Sequence, residues 1–270
     1  MKKSTFFKSA SLALACAAAA TAFSGCGSKN YAENNTAFFI GASGPLTGSA
    51  ASYGIAVQRG AELAVEEINA KNEDGMRFTF EIKDDKASAA DVPTNFAALY
   101  EKGMQLSLGA VTSGACLSFK GLAAEKNLFT LCPSATADDV TKDADTVFQM
   151  CFSDSNQGSV AAQQYFNTDA VPAGTKLGIL YCSNDAYSKG IYDTFKAALD
   201  TSKFAEVAET SFRNDASGNP PTDMNSQVET LKNCSYFFMP VYYTPAVTFM
   251  LAAKGKIASD AVYFGCDGFD

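Results

Sequence analysis

From Ala37 onward the chain alternates short apolar runs with amphipathic stretches. The runs at 37–42, 77–83, 105–111, 128–132, 146–152, 176–182, 205–211, 235–241 and 261–266 are predicted as strands. Between them, helices are predicted over 53–71, 89–103, 114–126, 155–168, 187–200, 222–232 and 244–254. Parallel strands need a crossover of a dozen or more residues, so this alternation is the signature of parallel sheets covered by helices, and the expected class is α/β. In the first helix Ala56, Gly60, Leu63, Ala64 and Ile68 recur at helical spacing, which predicts the face that packs on the sheet.

Two series of this kind are separated by the polar stretch Ser153-Asp154-Ser155-Asn156-Gln157-Gly158. It reads as a crossover between an N-terminal lobe, 36–153, and a second lobe, 154–270, with Asp154 or Ser155 capping the next helix. Asn214 to Thr222, with Gly218, Pro220 and Pro221, is expected as a surface loop. The sequence stops just after a strand, where a small sheet would keep a long open edge, so the second lobe is expected to be incomplete.

The first residues change the picture. Lys2, Lys3 and Lys8 precede an apolar small-residue stretch from Ala10 to Phe23, followed by Ser24-Gly25-Cys26. This is the layout of a secretory signal over 1–25, too short to span a bilayer. Cys26 after Ser-Gly also fits a bacterial lipobox, although Phe23 stands where leucine is usual, so Cys26 is the candidate lipidation site and 26–35 a polar tether. No later apolar stretch is long enough to cross a membrane, because Ser235 to Met250 is interrupted by Pro240 and Pro245.

Removing 1–25 leaves 18 basic against 29 acidic residues, a net charge of −11, which argues against nucleic acid as a partner. The chain contains no histidine, which weakens zinc, Ser-His and Cys-His chemistry together. No metal site and no cofactor are implied. Setting Cys16 and Cys26 aside, six cysteines remain at 116, 132, 151, 182, 234 and 266. Most lie in strand-like apolar runs and are expected as buried thiols, with any pairing left open by sequence. Between the first strand and helix runs Gly41-Ala42-Ser43-Gly44-Pro45-Leu46-Thr47-Gly48, then Tyr53-Gly54, a loop at a position where α/β sheets hold small polar ligands.

Taken in order, several segments resemble the type I periplasmic binding proteins of the branched-chain amino acid group, the substrate-binding components of ABC importers. They are the lipobox, Gly44 to Gly48 with Tyr53-Gly54, Leu63 to Asn69, Asp84-Asp85 and Gly109 to Gly114. The series continues through Pro133 to Thr136, Asp154 to Gly158, Tyr187-Ser188-Lys189-Gly190, Pro240 to Tyr243 and Gly265 to Phe269. Departures are Asn72 to Met76, without the usual glycine-rich turn, and the missing final third of the family's length.

The resemblance implies two Rossmann-like lobes closing on a small amino acid, with an ABC permease and ATPase as partners, in a monomer tethered to the membrane by lipid. It implies no catalysis. Ser113 after the third strand, with Val111 and Thr112 beside it, would take the ligand carboxylate, and Ser134, Ala135 and Thr136 after the fourth would address both the carboxylate and the ammonium. Local sequence reads Ser113 and Thr136 equally well as helix caps. Asp267 matches the acid that pairs with the ammonium, although an Asp-Gly pair also reads as a turn. Tyr53, Tyr187 and Tyr242 match the aromatic walls, with Tyr243 competing for the slot of Tyr242, and Phe152 is expected to help set the pocket volume. Asp84 and Asp85 are expected to serve the loop. A branched-chain amino acid is the leading ligand; a small amide, urea or aromatic acid is the alternative, and a sensory ectodomain or an exported hydrolase is more remote, since there is no Gly-x-Ser-x-Gly elbow and no histidine base.

Overall fold

A computed structural model describes residues 37–73 and 75–269. The signal segment 1–25, Cys26 and the tether 26–35 lie outside the described residues. The first sheet contains β1 (Ala37–Gly44), β2 (Arg77–Asp84), β3 (Leu106–Ser107), β4 (Thr130–Cys132) and β5 (Val147–Gln149), all parallel, in the order β2-β1-β3-β4-β5. The second contains β6 (Lys176–Cys182), β7 (Glu206–Phe212), β8 (Tyr236–Met239) and β9 (Val262–Gly265), also parallel, in the order β7-β6-β8-β9. The helices are α1 (Ala51–Lys71), α2 (Val92–Glu101), α3 (Ser113–Glu125), α4 (Asp154–Ala161), α5 (Ala186–Ala198), α6 (Asn225–Leu231) and α7 (Tyr243–Ala253).

Both sheets reverse their winding beside the first strand laid down, between β1 and β3 and between β6 and β8. Such reversals open a crevice at the carboxyl ends of the strands. In the second sheet neighbouring Phe237 and Phe238 point to opposite faces, as strand geometry requires. Phe237 joins Val228, Leu231, Phe249 and Ala253 from α6 and α7. Phe238 stacks on Phe195 of α5, ring centroids 3.8 Å apart, in a cluster with Phe166 and Ile191. The first sheet is covered on one face by Val92, Phe96 and Leu99 of α2 with Ala115, Phe119 and Ala123 of α3.

Several local expectations are corrected. The strand predicted over 105–111 is a ladder strand only at Leu106–Ser107. There the Ser107 hydroxyl donates to the Gly41 carbonyl at 2.9 Å and accepts from Gly109 N at 2.8 Å, and Gly109 turns at φ +66°. The resulting kink carries Val111–Ser113 over the sheet edge. The cap of α4 is Ser153, whose Oγ accepts from Asn156 N at 3.2 Å, and not Asp154 or Ser155. This helix continues from Ala162 to Phe166 as a wider π turn closed by Asn167 N on the Ala162 carbonyl at 2.8 Å.

The predicted packing face of α1 is on the wrong side. Ala56, Gly60, Leu63, Ala64 and Ile68 are exposed, Leu63 by 57% and Ile68 by 48%. Gly54 is buried, and Ala61, Val65 and Asn69 are half-buried. Asn69 decides the rotation, because its side-chain amide donates to the Phe78 carbonyl and accepts from Phe78 N, both at 2.8 Å, pinning that side of the helix to β2.

Gly158 lies where α4 crosses α5, and a Cβ there would fall on Thr194 Oγ1 and the Ile191 carbonyl. The chain passes from the first sheet to the second through α4, which glycine at 158 allows to lie this close to α5. Among the described residues no helix is long and apolar enough to cross a membrane.

Candidate functional site

The ten residues expected at the site line one cavity of about 360 Å³, with Gly268 as an eleventh. All sit at carboxyl ends of strands or just beyond. From the first sheet come Tyr53 in the first turn of α1, Val111 and Thr112 after β3, Ser113 at the start of α3, and Ser134, Ala135 and Thr136 after β4. From the second come Tyr187 at the start of α5, Tyr242 before α7, and Asp267 after β9.

Ser113 Oγ accepts from the backbone N–H groups of Thr136 at 3.3 Å and Ala137 at 3.2 Å. Its lone pairs are thereby occupied by the neighbouring loop, and its one O–H remains to donate to an anion in the cavity. The Thr112 hydroxyl is buried with no hydrogen-bond partner. Thr112, at the N-terminal cap position of α3, makes no side-chain cap bond. A buried hydroxyl left unmet costs on the order of 1–3 kcal/mol, which a ligand would relieve.

On the opposite wall, Tyr187 Oη donates to Asp267 Oδ1 at 2.7 Å and accepts from Gly268 N at 2.9 Å. Tyr187 is only 2% exposed, so it is a wall and not a rim residue. Its ring stacks on Tyr242 with centroids 4.9 Å apart, and burial followed by the Asp267 charge pushes its phenol well above the ordinary range. Burial also pushes the Tyr242 phenol up. Both tyrosines are thus held as neutral hydroxyls. A Cβ on Gly268 would come within 2.9 Å of both Tyr187 Oη and Tyr242 Cδ1, so the backbone can approach the ring pair only as glycine.

Hydrogen bonds span the cleft. Tyr53 Oη donates to the Gly268 carbonyl at 2.6 Å, and Thr244 Oγ1 donates to the Ser49 carbonyl at 2.7 Å. Tyr53 lies 5.6 Å from Tyr242 and 5.4 Å from Tyr243 by ring centroids, but only Tyr242 reaches the cavity. Phe152 does not line it and is 54% exposed, which corrects its expected part in the pocket volume. Asp84 accepts from Leu46 N at 2.9 Å and Lys86 N at 3.0 Å, and buried Asp85 accepts from Ser43 Oγ at 2.8 Å. Both therefore hold the Gly44–Gly48 loop.

Two groups behind the cavity were given no site role by sequence. Asp154 is fully buried, and burial, opposed by the Thr136 hydroxyl and reinforced by the nearby Asp267 charge, pushes it to about 7. Gln157 Oε1, one turn on, accepts from Asp267 N at 3.3 Å. Their signal in sequence is the Asp-x-x-Gln spacing in the first turn of α4, which points both at one face. A second cavity of about 500 Å³ shares Thr112 and Tyr242 with the first and is lined also by Asp185, Ser188 and Asn214. The first cavity is the better candidate, because the Ser113 O–H, the Asp267 carboxylate and both switch points converge on it. No lysine or arginine lines either cavity, and among the described residues no group of histidine, cysteine and carboxylate side chains could hold a metal ion.

The sequence and fold have counterparts among known proteins. Residues 37–255 match the model of the family described as periplasmic binding protein. The Leu/Ile/Val-binding protein BraC3 of Rhizobium johnstonii is 31% identical over 234 residues, 85% of this chain and 61% of that one. The branched-chain amino acid transporter substrate-binding protein LivJ of Streptococcus pneumoniae, solved in complex with isoleucine, superposes with a TM-score of 0.73 at 29% identity, covering 86% of this chain and 65% of that one. A leucine-binding protein LivK of Thermotoga maritima, at 22% identity and a TM-score of 0.75, shares the fold over 86% of this chain and 64% of its own. The chain thus spans less than two-thirds of the length of each of these proteins.

Proposed function

The chain belongs to the periplasmic binding protein family, and from that premise we propose that it captures one small α-amino acid, branched-chain in the first instance, and delivers it to the permease of an ABC importer. The observation that carries the proposal is the opposition across one cavity of a free hydroxyl donor, Ser113, and a carboxylate, Asp267, which is the charge pattern of a zwitterion turned inside out. In this reading the ligand carboxylate takes the Ser113 O–H and the dipoles of the Ser134–Thr136 loop and the α3 N-terminus. The ammonium faces Asp267, which Tyr187 holds in place, and Thr136 assists through its hydroxyl. Tyr53, Val111, Thr112 and Tyr242 enclose the side chain, and no group in the cavity is suited to break a bond.

Residues 36–153 and 154–270 act as the two lobes, closing about the crossover at α4. Cys26 carries a lipid, 26–35 serve as tether after loss of 1–25, and the protein works as an exported monomer held at the cell membrane. The relatives' names favour leucine, isoleucine and valine over the amide and aromatic-acid alternatives. Titration calorimetry of the full chain against single amino acids tests this, with binding expected for the branched-chain set. Absence of heat, and of any melting shift, across all amino acids would remove the substrate assignment.

A further inference from the structure

Cys116 lies in the first turn of α3, three residues after Ser113, and Cys132 ends β4, two residues before Ser134. Their sulfur atoms are 3.4 Å apart, and each residue is 1% exposed. Cys116 Sγ is also 2.8 Å from the Ala110 carbonyl oxygen, the stronger acceptor for its one hydrogen, so the two cysteines meet nearly sulfur to sulfur. Gly109 makes the room, since a Cβ there would come 2.8 Å from Cys132 Sγ. Cys151 and Cys182 direct their thiols elsewhere, to the Pro133 carbonyl and to Asn184 Oδ1, both at 3.2 Å.

A disulfide needs its sulfurs about 2.05 Å apart, so closure here asks for about 1.3 Å of movement shared between two side chains. We propose that Cys116 and Cys132 form a disulfide when the chain folds in an oxidising compartment, and that this bond clamps the start of α3 to the end of β4 beneath the ligand cavity. The clamp lies on the seam already stitched by Ser113 Oγ with the N–H groups of Thr136 and Ala137. It therefore fixes the spacing between the two loops of the first sheet that face the ligand. The proposal rests on export and does not depend on which ligand binds.

The chemistry balances with a small-molecule disulfide, such as oxidised glutathione, as oxidant. While the chain is still folding, the Cys132 thiolate attacks one sulfur of that disulfide and expels one glutathione thiolate. Cys116 then attacks the mixed disulfide at Cys132 and expels the second. Two S–H bonds are lost and one S–S bond forms; two electrons and two protons end on two molecules of glutathione. Both cysteines are buried once folded, so exchange takes place on the folding chain.

The test is refolding of the full chain in a glutathione redox buffer or in dithiothreitol, followed by alkylation in denaturant and peptide mass spectrometry. The expected result is a cross-linked peptide pair containing Cys116 and Cys132, 2 Da lighter than the two thiols, from the glutathione sample alone. The residues are 16 apart, and a loop of that size predicts a melting temperature roughly 5–10 °C above the reduced protein. Cys116→Ser and Cys132→Ser should each abolish that difference. Absence of the cross-linked peptide from correctly refolded wild type overturns the proposal, and that measurement stands even if a variant does not fold.

Discussion

Replacing Asp267 by Asn keeps the size and planarity of the side chain and removes its charge. Tyr187 Oη, 2.7 Å from Oδ1, can still donate to the amide oxygen, and the Gln157 contact is to the backbone N–H, so the loop after β9 keeps its anchors. What is lost is the charge facing the ligand ammonium. Asp267 is exposed, so the folded state of the variant should be nearly as stable as wild type, within the roughly 0.5 kcal/mol usual for surface substitutions. Truncating one partner of a buried, hydrogen-bonded charge pair costs about 2–5 kcal/mol, and the partly wet setting of Asp267 argues for the lower end. About 2 kcal/mol corresponds to roughly 30-fold in Kd. Calorimetric titration of leucine into both proteins reads this directly, with the melting temperature of the free proteins as the control. If the Asn variant binds leucine within about threefold of wild type, the carboxylate does not face the ammonium and the zwitterion assignment fails.

Three further outcomes follow from the same structure. Tyr53→Phe removes the cross-cleft bond to the Gly268 carbonyl and should weaken ligand binding by about 1 kcal/mol, near fivefold, through loss of closure; unchanged affinity and dissociation rate would contradict the contact. Asp154 is raised from 3.8 to about 7, so the folded state binds the extra proton between those values; stability should fall as pH rises from about 4 to 7 and stay reduced above. Unfolding free energies from urea melts at pH 5 and pH 8 should therefore differ in wild type and differ less in Asp154→Asn, by on the order of 2 kcal/mol, whereas an equal difference in both would clear Asp154. Gly158→Ala forces a methyl onto Thr194 Oγ1 and the Ile191 carbonyl and should cost about 3 kcal/mol in a chemical melt, and a neutral result would mean that α4 and α5 are further apart than described.

Alternation of apolar and amphipathic segments was enough to order the strands and helices, and the run at Lys176–Cys182 is the case where prediction and structure coincide. It lies second in its sheet, covered on both faces, so its hydrophobicity is continuous and its ends are abrupt. Residues with a local chemical reason for their place were also legible: the polar loops after strands, the tyrosines near helix starts, the Asp-Gly after the last strand. What failed was whatever depends on a partner distant in sequence. The exposed stripe on α1 is as regular as the buried side, and only the clip of Asn69 on Phe78 chose between them. Tyr242 and Tyr243 are adjacent and chemically identical, and only their approach to Tyr187 and Tyr53 assigns one to the cavity. Asp154 looked like a cap because capping is local, whereas its burial comes from α5 and the loop at Thr136. The contact between the Cys116 and Cys132 sulfurs was likewise open, since sixteen residues of chain say nothing about sulfur distance until β4 is laid beside β3. Periodicity and local propensity are properties of the chain, and those the sequence determined alone; helix rotation, cavity walls and sulfur pairs are set by packing between segments, and those only the tertiary structure decided.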